Sequence, residues 1–475
     1  MTVPGGGLGL RGDSPGRRRG PRAGGTSSQA STEPGAAGGA SGPATGLPRA
    51  ASAAARQAST EPGAAERRPH PPDLEWALDP SITFLNHGSF GACPLPVLDA
   101  QASWRRRMEA EPVGFLAREL EGLLAVARAE LAEFVGAGPD DLAFVRNATT
   151  GVNTVLRSLR FAPGDELLVT DHAYNASINA LRHAAARDGA RVVFARLPFP
   201  VRDTGEALEA VLAAVSPRTR LALIDHVTSP TALVLPVAQL VAELDRRGVD
   251  TLVDGAHGPG MLPVDLDALG AAYYTGNCHK WLCAPKGSAF LHVRHDRQAM
   301  VHPLAVSHGA NSMRTDASRF RLEFDWTGTD DPTAWLSVAE AIHAVGGATA
   351  GGWPEVMRAN RGLALEARDL LLDALGVEPA APACMLGSMA AIRLPGTRGP
   401  AREGDRIAGI FEDDLRSRGF EVPVMAWPLP ALVASGDLPA GTECDLFVRI
   451  SAQRYNHLDQ YARLAEALAD VVAAR

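Results

Sequence analysis

Cysteine is scarce in this chain: five residues in 475, at 93, 278, 283, 384 and 444. So few, and an odd number, exclude a disulfide framework and point to a reducing, cytoplasmic setting. No apolar run approaches the ~20 residues of a membrane helix, so no membrane partner is expected. The net charge of −8 is mild for the length and argues against a nucleic-acid partner. No GxxxxGK[ST] segment occurs, which argues against a nucleoside triphosphate ligand. Aromatic residues are also sparse, and none precedes Trp76. That opening stretch is built of Gly, Ala, Ser, Pro and Arg, and "QASTEPGAA" occurs in it twice, at 29–37 and 57–65. Such a segment buries too little apolar surface to offset its ordering entropy. Residues 1–73 are therefore expected to be a disordered tail. Arg17-Arg18-Arg19 has no apolar segment after it, so it does not read as a secretory or twin-arginine signal.

From Trp76 onward the composition turns globular. The chain is 46% hydrophobic, enough for a large core and at least two domains. Apolar runs alternate with helical periodicity: "DLAFV", "ELLVT", "ARVVFARL", "TRLALIDHVT", "DTLVDGAHG", "AAYYTGN" and "GSAFLHVR" read as strands with helices between them. That alternation predicts right-handed βαβ units and a mostly parallel sheet covered by helices. Beyond residue 335 the pattern becomes long helices followed by strands such as "GSMAAIRL" and "DLFVRIS", as in a smaller α+β domain. The expected division is a segment 74–110, a large domain 111–335 and a small domain 336–475.

In open α/β sheets, ligands bind at the carboxyl ends of the strands. Five predicted strand ends here carry polar groups: Arg146–Asn147–Ala148–Thr149–Thr150, Asp171–His172–Ala173–Tyr174, Asp225–His226–Val227–Thr228–Ser229, Asp254–Gly255–Ala256–His257, and Asn277–Cys278–His279–Lys280. Each has a bland reading as a cap, a turn or a core polar residue. Five together favour a site. Thr149 and Thr150 open a helix, where hydroxyls and free N–H groups form a cup for a phosphate. Asp254 ends a strongly apolar strand and wants a cationic partner. A lysine behind His279 at a buried strand end has the lowered pKa that Schiff-base chemistry needs. A phosphate cup, a buried Asp, a gap lined by His or Tyr, and such a lysine together describe a site for pyridoxal 5'-phosphate (PLP), whose ring acts as an electron sink.

The segments "LNHGSFG", "NATTGVN", "DHAYNA", "HVTSPTALVLPV" and "DGAHGPG…GNCHKW", in this order, resemble the class V aminotransferase-fold family, and within it the isopenicillin N epimerase-like proteins. The resemblance runs from about Trp76 to the C-terminus. It implies the PLP-dependent transferase fold type I, with a seven-stranded-type, mostly parallel sheet in the large domain. By motif match Lys280 carries the Schiff base, Asp254 meets the ring nitrogen and His257 a ring oxygen. Thr149, Thr150, Asn277 and His279 hold the phosphate, and Ser229 stands near the ring hydroxyl. His172 falls where the family stacks a side chain on the ring, with Tyr174 close enough to share that task. Arg449 in "FVRIS" matches the arginine that clamps a substrate α-carboxylate. Asn86 and His87 are expected substrate contacts. "WTGTDDP" (326–332) resembles a loop that reaches the partner subunit and adds Thr329 to its phosphate site, which implies a homodimer with shared active sites.

The stretch "TGNCHKWLCAPKG" (275–287) admits two other readings. A zinc site from Cys278, His279 and Cys283 lacks a fourth ligand, and residues 278 and 279 on a strand point to opposite faces; no metal is expected. A cysteine desulfurase needs a reactive cysteine on the loop after an R-x-G segment, and "RSRGFEVPVMAWP" (416–428) has none. The reaction implied is epimerisation or racemisation at the Cα of an amino-acid substrate through an external aldimine, with Lys280 removing a proton and Tyr174 or His172 serving the other face. The alternatives are a C–S β-lyase of the ergothioneine-assembly type, a class V aminotransferase, and a non-enzymatic PLP-binding regulator.

Overall fold

The computed structural model describes residues 74–473. The tail expected over 1–73 lies outside the described residues. Seven strands form the main sheet: β1 (Leu142–Val145), β2 (Glu166–Thr170), β3 (Arg191–Ala195), β4 (Thr219–Asp225), β5 (Asp250–Gly255), β6 (Tyr273–Asn277) and β7 (Ala289–Val293). Their order across the sheet is β1-β7-β6-β5-β4-β2-β3. β7 runs antiparallel to both neighbours, and every other pairing is parallel. The protein is therefore α/β with a mostly parallel seven-stranded sheet.

Strand alternation explains why both faces are covered. Leu168, Ala222, Ile224, Val253, Tyr274 and Phe290 belong to one core cluster. Their chain neighbours Leu167, Leu221, Leu223, Leu252, Tyr273 and Leu291 belong to another on the opposite face, as a period of two requires. The covering helices bury one stripe each. The helix Val237–Arg246 buries Val237, Leu240, Val241 and Leu244, the i, i+3, i+4, i+7 set, each worth roughly 1.5–3 kcal/mol.

Two further helices matter for the site. α1 (Ala148–Ser158) starts at Asn147, whose side chain accepts the Thr150 N–H. α2 (Asn175–Asp188) follows Tyr174 and stops at Gly189, which takes the left-handed φ of 73°. α1 lies tight on β6: a Cβ on Gly151 would stand 2.2 Å from Thr275 Oγ1.

Beyond residue 335 come long helices and a second, antiparallel sheet of four strands. Its central strand β10 (Glu443–Ser451) lies between β8 (Met389–Arg393) and β9 (Val424–Trp427). This places Arg449 opposite Ala391. Among the described residues, no helix is long and apolar enough to cross a membrane.

Candidate active site

β4, β5 and β6 are parallel neighbours, so their carboxyl ends line up at one edge. Asp225 pairs in register with Asp254, and Gly255 with Gly276. A cavity of about 400 Å³ opens there, lined by groups from all five strand ends, among them Thr149, Tyr174, Asp225, Asp254, Asn277 and Lys280. Another cavity of the same volume, beside Leu116, Leu120, Arg314 and Trp326, holds none of these groups. The N-terminal segment closes in from the other side. Gly91, at φ 71°, passes so near that a Cβ would stand 2.2 Å from the His279 carbonyl oxygen.

The hydrogen bonds around Lys280 fix its protonation. Trp281 Nε1–H can only donate, and it meets His257 Nδ1 at 3.2 Å. The His257 ring is buried and neutral, because burial drives its pKa well below the ordinary value. With Nδ1 accepting, the ring proton lies on Nε2, 3.1 Å from Lys280 Nζ. That contact is a hydrogen bond only if the amine offers a lone pair. Burial and the nearby Arg449 guanidinium act in the same direction, bringing Lys280 down to about 7 against the opposing pull of Asp254 and Asp225. The lysine is thus a free-base nucleophile near neutral pH.

Asp254 is buried, with Oδ2 accepting from Ser177 Oγ–H at 2.8 Å and Oδ1 from the Ala256 N–H at 3.1 Å. Burial raises its pKa. Arg449 is 1% exposed and has only neutral partners: the Ser229 carbonyl at 2.6 Å, Ser89 Oγ at 2.8 Å and Asn86 Oδ1 at 3.3 Å. Its Nε has no partner, and burial lowers its pKa to about 10. A buried guanidinium without a carboxylate is electrostatically incomplete. It supplies the charge that an anionic ligand needs.

At the β6 end, Asn277 Oδ1 accepts the Ala148 N–H at 2.8 Å, which leaves its amide NH₂ for a ligand. His279 Nδ1–H donates to the Ser288 carbonyl at 2.9 Å. Asn147 takes the Thr150 N–H, and the remaining first-turn residue, Thr149, lines the cavity at the positive end of α1.

The sequence profile of the family described as "Aminotransferase class-V" matches residues 91–397. The chain belongs to the class-V aminotransferase family. Among curated relatives, an isopenicillin N epimerase of Amycolatopsis lactamdurans is 38% identical over 409 residues, covering 83% of this chain and 96% of the relative. A putative L-cysteine desulfhydrase of Oryza sativa subsp. japonica is 34% identical over 420 residues, covering 82% and 83%. Among solved structures, a cystine C–S lyase complexed with cysteine persulfide superposes with a TM-score of 0.65 at 23% identity, covering 82% of this chain and 97% of that one. A variant of that lyase with glycine linked to its PLP cofactor superposes with the same score at 22% identity, covering 82% and 96%.

As a class-V protein this chain is a PLP-dependent enzyme. The cavity fits the cofactor on its own evidence. It offers a free amine, a buried carboxylate with no cation beside it, and a helix N-terminus flanked by Thr149 and Asn277. Most of the expected site residues come together here. Thr149, Tyr174, Ser229, Asp254, His257, Asn277, His279 and Lys280 all line the cavity.

Several expected residues lie elsewhere. His172 does not face the cavity. It is fully buried, Nδ1 2.8 Å from Thr231 Oγ1, its ring centroid 3.8 Å from that of Trp427. Tyr174, 46% exposed, stands at the cavity instead. The turn from β2 into α2 thus sets His172 against Trp427 and Tyr174 at the cavity. His87 likewise does not line the cavity. It is sealed under the site, bonded to the Tyr455 hydroxyl at 2.9 Å and the Lys280 carbonyl at 3.0 Å. Asn86 reaches the site through Arg449 rather than by lining it. Thr150 is tied to the Asn147 side chain through both its N–H and its hydroxyl. Thr329 is exposed and does not line the cavity, though its neighbour Asp330 pairs with Arg146, which does. Cys278 and Cys283 are buried, and burial pushes both thiols up. Phe90, Arg146 and Asp225 also stand at the cavity; Arg146 and Asp225 belong to the strand-end sets above but were given no role there, and Phe90 belongs to none of them. Asp225 carried a signal, being a strand-end carboxylate in line with Asp254.

Proposed function

We propose that this enzyme moves a proton at the Cα of an α-amino-acid substrate, as an epimerase or racemase. The observation that carries the proposal is the pair of proton carriers in one cavity, the free amine of Lys280 and the hydroxyl of Tyr174, with no cysteine lining it. Epimerisation needs one group to take the Cα proton and another to return it to the opposite face. The similarity to isopenicillin N epimerases supports the same reading.

In this reading Thr149, Asn277 and His279 hold the phosphate of PLP, Asp254 faces the ring nitrogen, and Ser229 and His257 stand at the ring's oxygen side. When bound, PLP supplies an electron sink for cleaving a bond at Cα. Lys280 attaches the cofactor and then, as a neutral amine, holds or releases the Cα proton. His257, oriented by Trp281, keeps that amine in its free-base form. Arg449 receives the substrate carboxylate in bidentate fashion, with Ser89 and Asn86 fixing the guanidinium. Phe90, 71% exposed at the mouth, covers the site from bulk water. The segment 326–332, on which Thr329 is exposed, completes the phosphate site of a second copy in a homodimer. The five free cysteines suit a cytoplasmic setting.

A second reading, a C–S β-lyase, is favoured by the similarity to L-cysteine desulfhydrases. One experiment separates the two. The enzyme with PLP is incubated in D₂O with a panel of L- and D-amino acids that includes cysteine and cysteine conjugates. Deuterium at Cα without fragment release supports epimerisation. Release of pyruvate or a thiol fragment supports the lyase. Neither outcome on any substrate, with PLP bound, contradicts both.

A further inference from the structure

Asp225 has no part in the reading above, yet it is placed as a working group. It ends β4, lies 2% exposed and lines the cavity. In a parallel pair, residues in register point to the same face about 4.8 Å apart, so Asp225 stands beside Asp254. The two carboxyl groups are unequally served. Asp254 receives two hydrogen bonds, from Ser177 and Ala256. Asp225 Oδ1 accepts one, from the Tyr174 N–H at 3.3 Å, and its Oδ2 is buried with no partner at all.

Two carboxylates this close in a dry site cannot both be charged. The shared negative charge settles where the donors are, on Asp254, and the proton goes to Asp225. The surrounding charges agree. Lys280, across the cavity, is charged in only about half the molecules near pH 7 and cannot hold both acids ionised. On the other flank, Asp171 at the end of β2 is turned toward the Leu197 N–H and Arg196. Burial and Asp254 together raise the Asp225 pKa well above the ordinary value. A protonated Oδ2 is a donor without an acceptor in the protein, buried beside Asp254.

We propose that Asp225 is a positioning residue of this site: a neutral carboxylic acid that keeps the charge of Asp254 undivided and holds the Tyr174 turn through its N–H. Only its effect on the bound cofactor rests on the PLP reading. An asparagine reproduces the protonated acid, with an oxygen for the Tyr174 N–H and an NH₂ in place of O–H. An alanine reproduces neither.

The test has two arms on the full-length protein. Infrared spectra of apoprotein report the carbonyl band of a protonated buried carboxyl, which is expected in the wild type and missing in D225N. This arm needs no cofactor, so it stands even if the PLP reading fails. In the second arm PLP affinity is titrated by absorbance from neutral to alkaline pH. D225N is expected to bind within about threefold of wild type and D225A about tenfold more weakly, the value of one buried hydrogen bond. Wild-type affinity should fall at alkaline pH as Asp225 ionises, and D225N should lose that limb. An absent carboxyl band, a D225N as weak as D225A, or an alkaline limb that persists in D225N each overturns the proposal.

Discussion

The amine of Lys280 gives the sharpest test of the site's electrostatics. Burial and Arg449 hold it at about 7. At pH 7 roughly half the molecules then carry a free amine, whereas an ordinary lysine at about 10.4 is free in only ~0.04% of molecules. The site thus supplies on the order of a thousandfold more nucleophile at neutral pH. The assay is stopped-flow absorbance on mixing apoenzyme with PLP across a pH series, read as the rate of cofactor attachment. The rate is expected to rise through a midpoint near 7 and then level off. Replacing the cation by Arg449→Met should move the midpoint upward by about 0.5–1 unit, since burial, the larger cause, remains. The same shift has a stability counterpart. Between about 7 and 10.5 the unfolded chain binds a proton that the folded lysine has released, so apoprotein stability should rise with pH across that window. A rate that keeps climbing about tenfold per pH unit well above 8 would mean an ordinary lysine and would refute the reasoning.

Three further outcomes are expected. Gly91→Ala places a Cβ against the His279 carbonyl at a positive φ, and should cost about 2 kcal/mol or more in a denaturant titration while weakening PLP binding. Arg449→Lys keeps the charge but loses the planar fork, and should raise KM for an amino-acid substrate about tenfold or more with PLP affinity little changed. Trp281→Phe removes the donor that fixes the His257 tautomer, and should move the pH midpoint of cofactor attachment; an unmoved midpoint would separate His257 from the lysine.

Much of the fold was legible because period-two apolar runs alternate with helical stripes over the whole stretch 142–293. The site was legible as a set of strand ends, because parallel neighbours in an α/β sheet bring their carboxyl ends to one edge. What sequence leaves open is direction within a turn. His172 and Tyr174 are two residues apart between β2 and α2, and only the path of that turn sends one into the core and the other to the cavity. The place of His87 is likewise set by distant partners: its segment crosses beneath Lys280 and meets Tyr455 and Gln453, contacts spanning more than 360 positions. Asp225 was legible as a strand-end carboxylate but not as the neighbour of Asp254, because the β4–β5 register that sets them side by side is a property of strand pairing and not of either strand alone.

The central claim is that Lys280 bonds the cofactor. Reduction of the PLP-loaded enzyme with borohydride, followed by peptide mass spectrometry, tests it directly. The cofactor's mass is expected on Lys280 and on no other residue, and Lys280→Ala should show none. Label found on Lys286, the chain's only other lysine, or no stable label on a protein that binds PLP, would contradict the account.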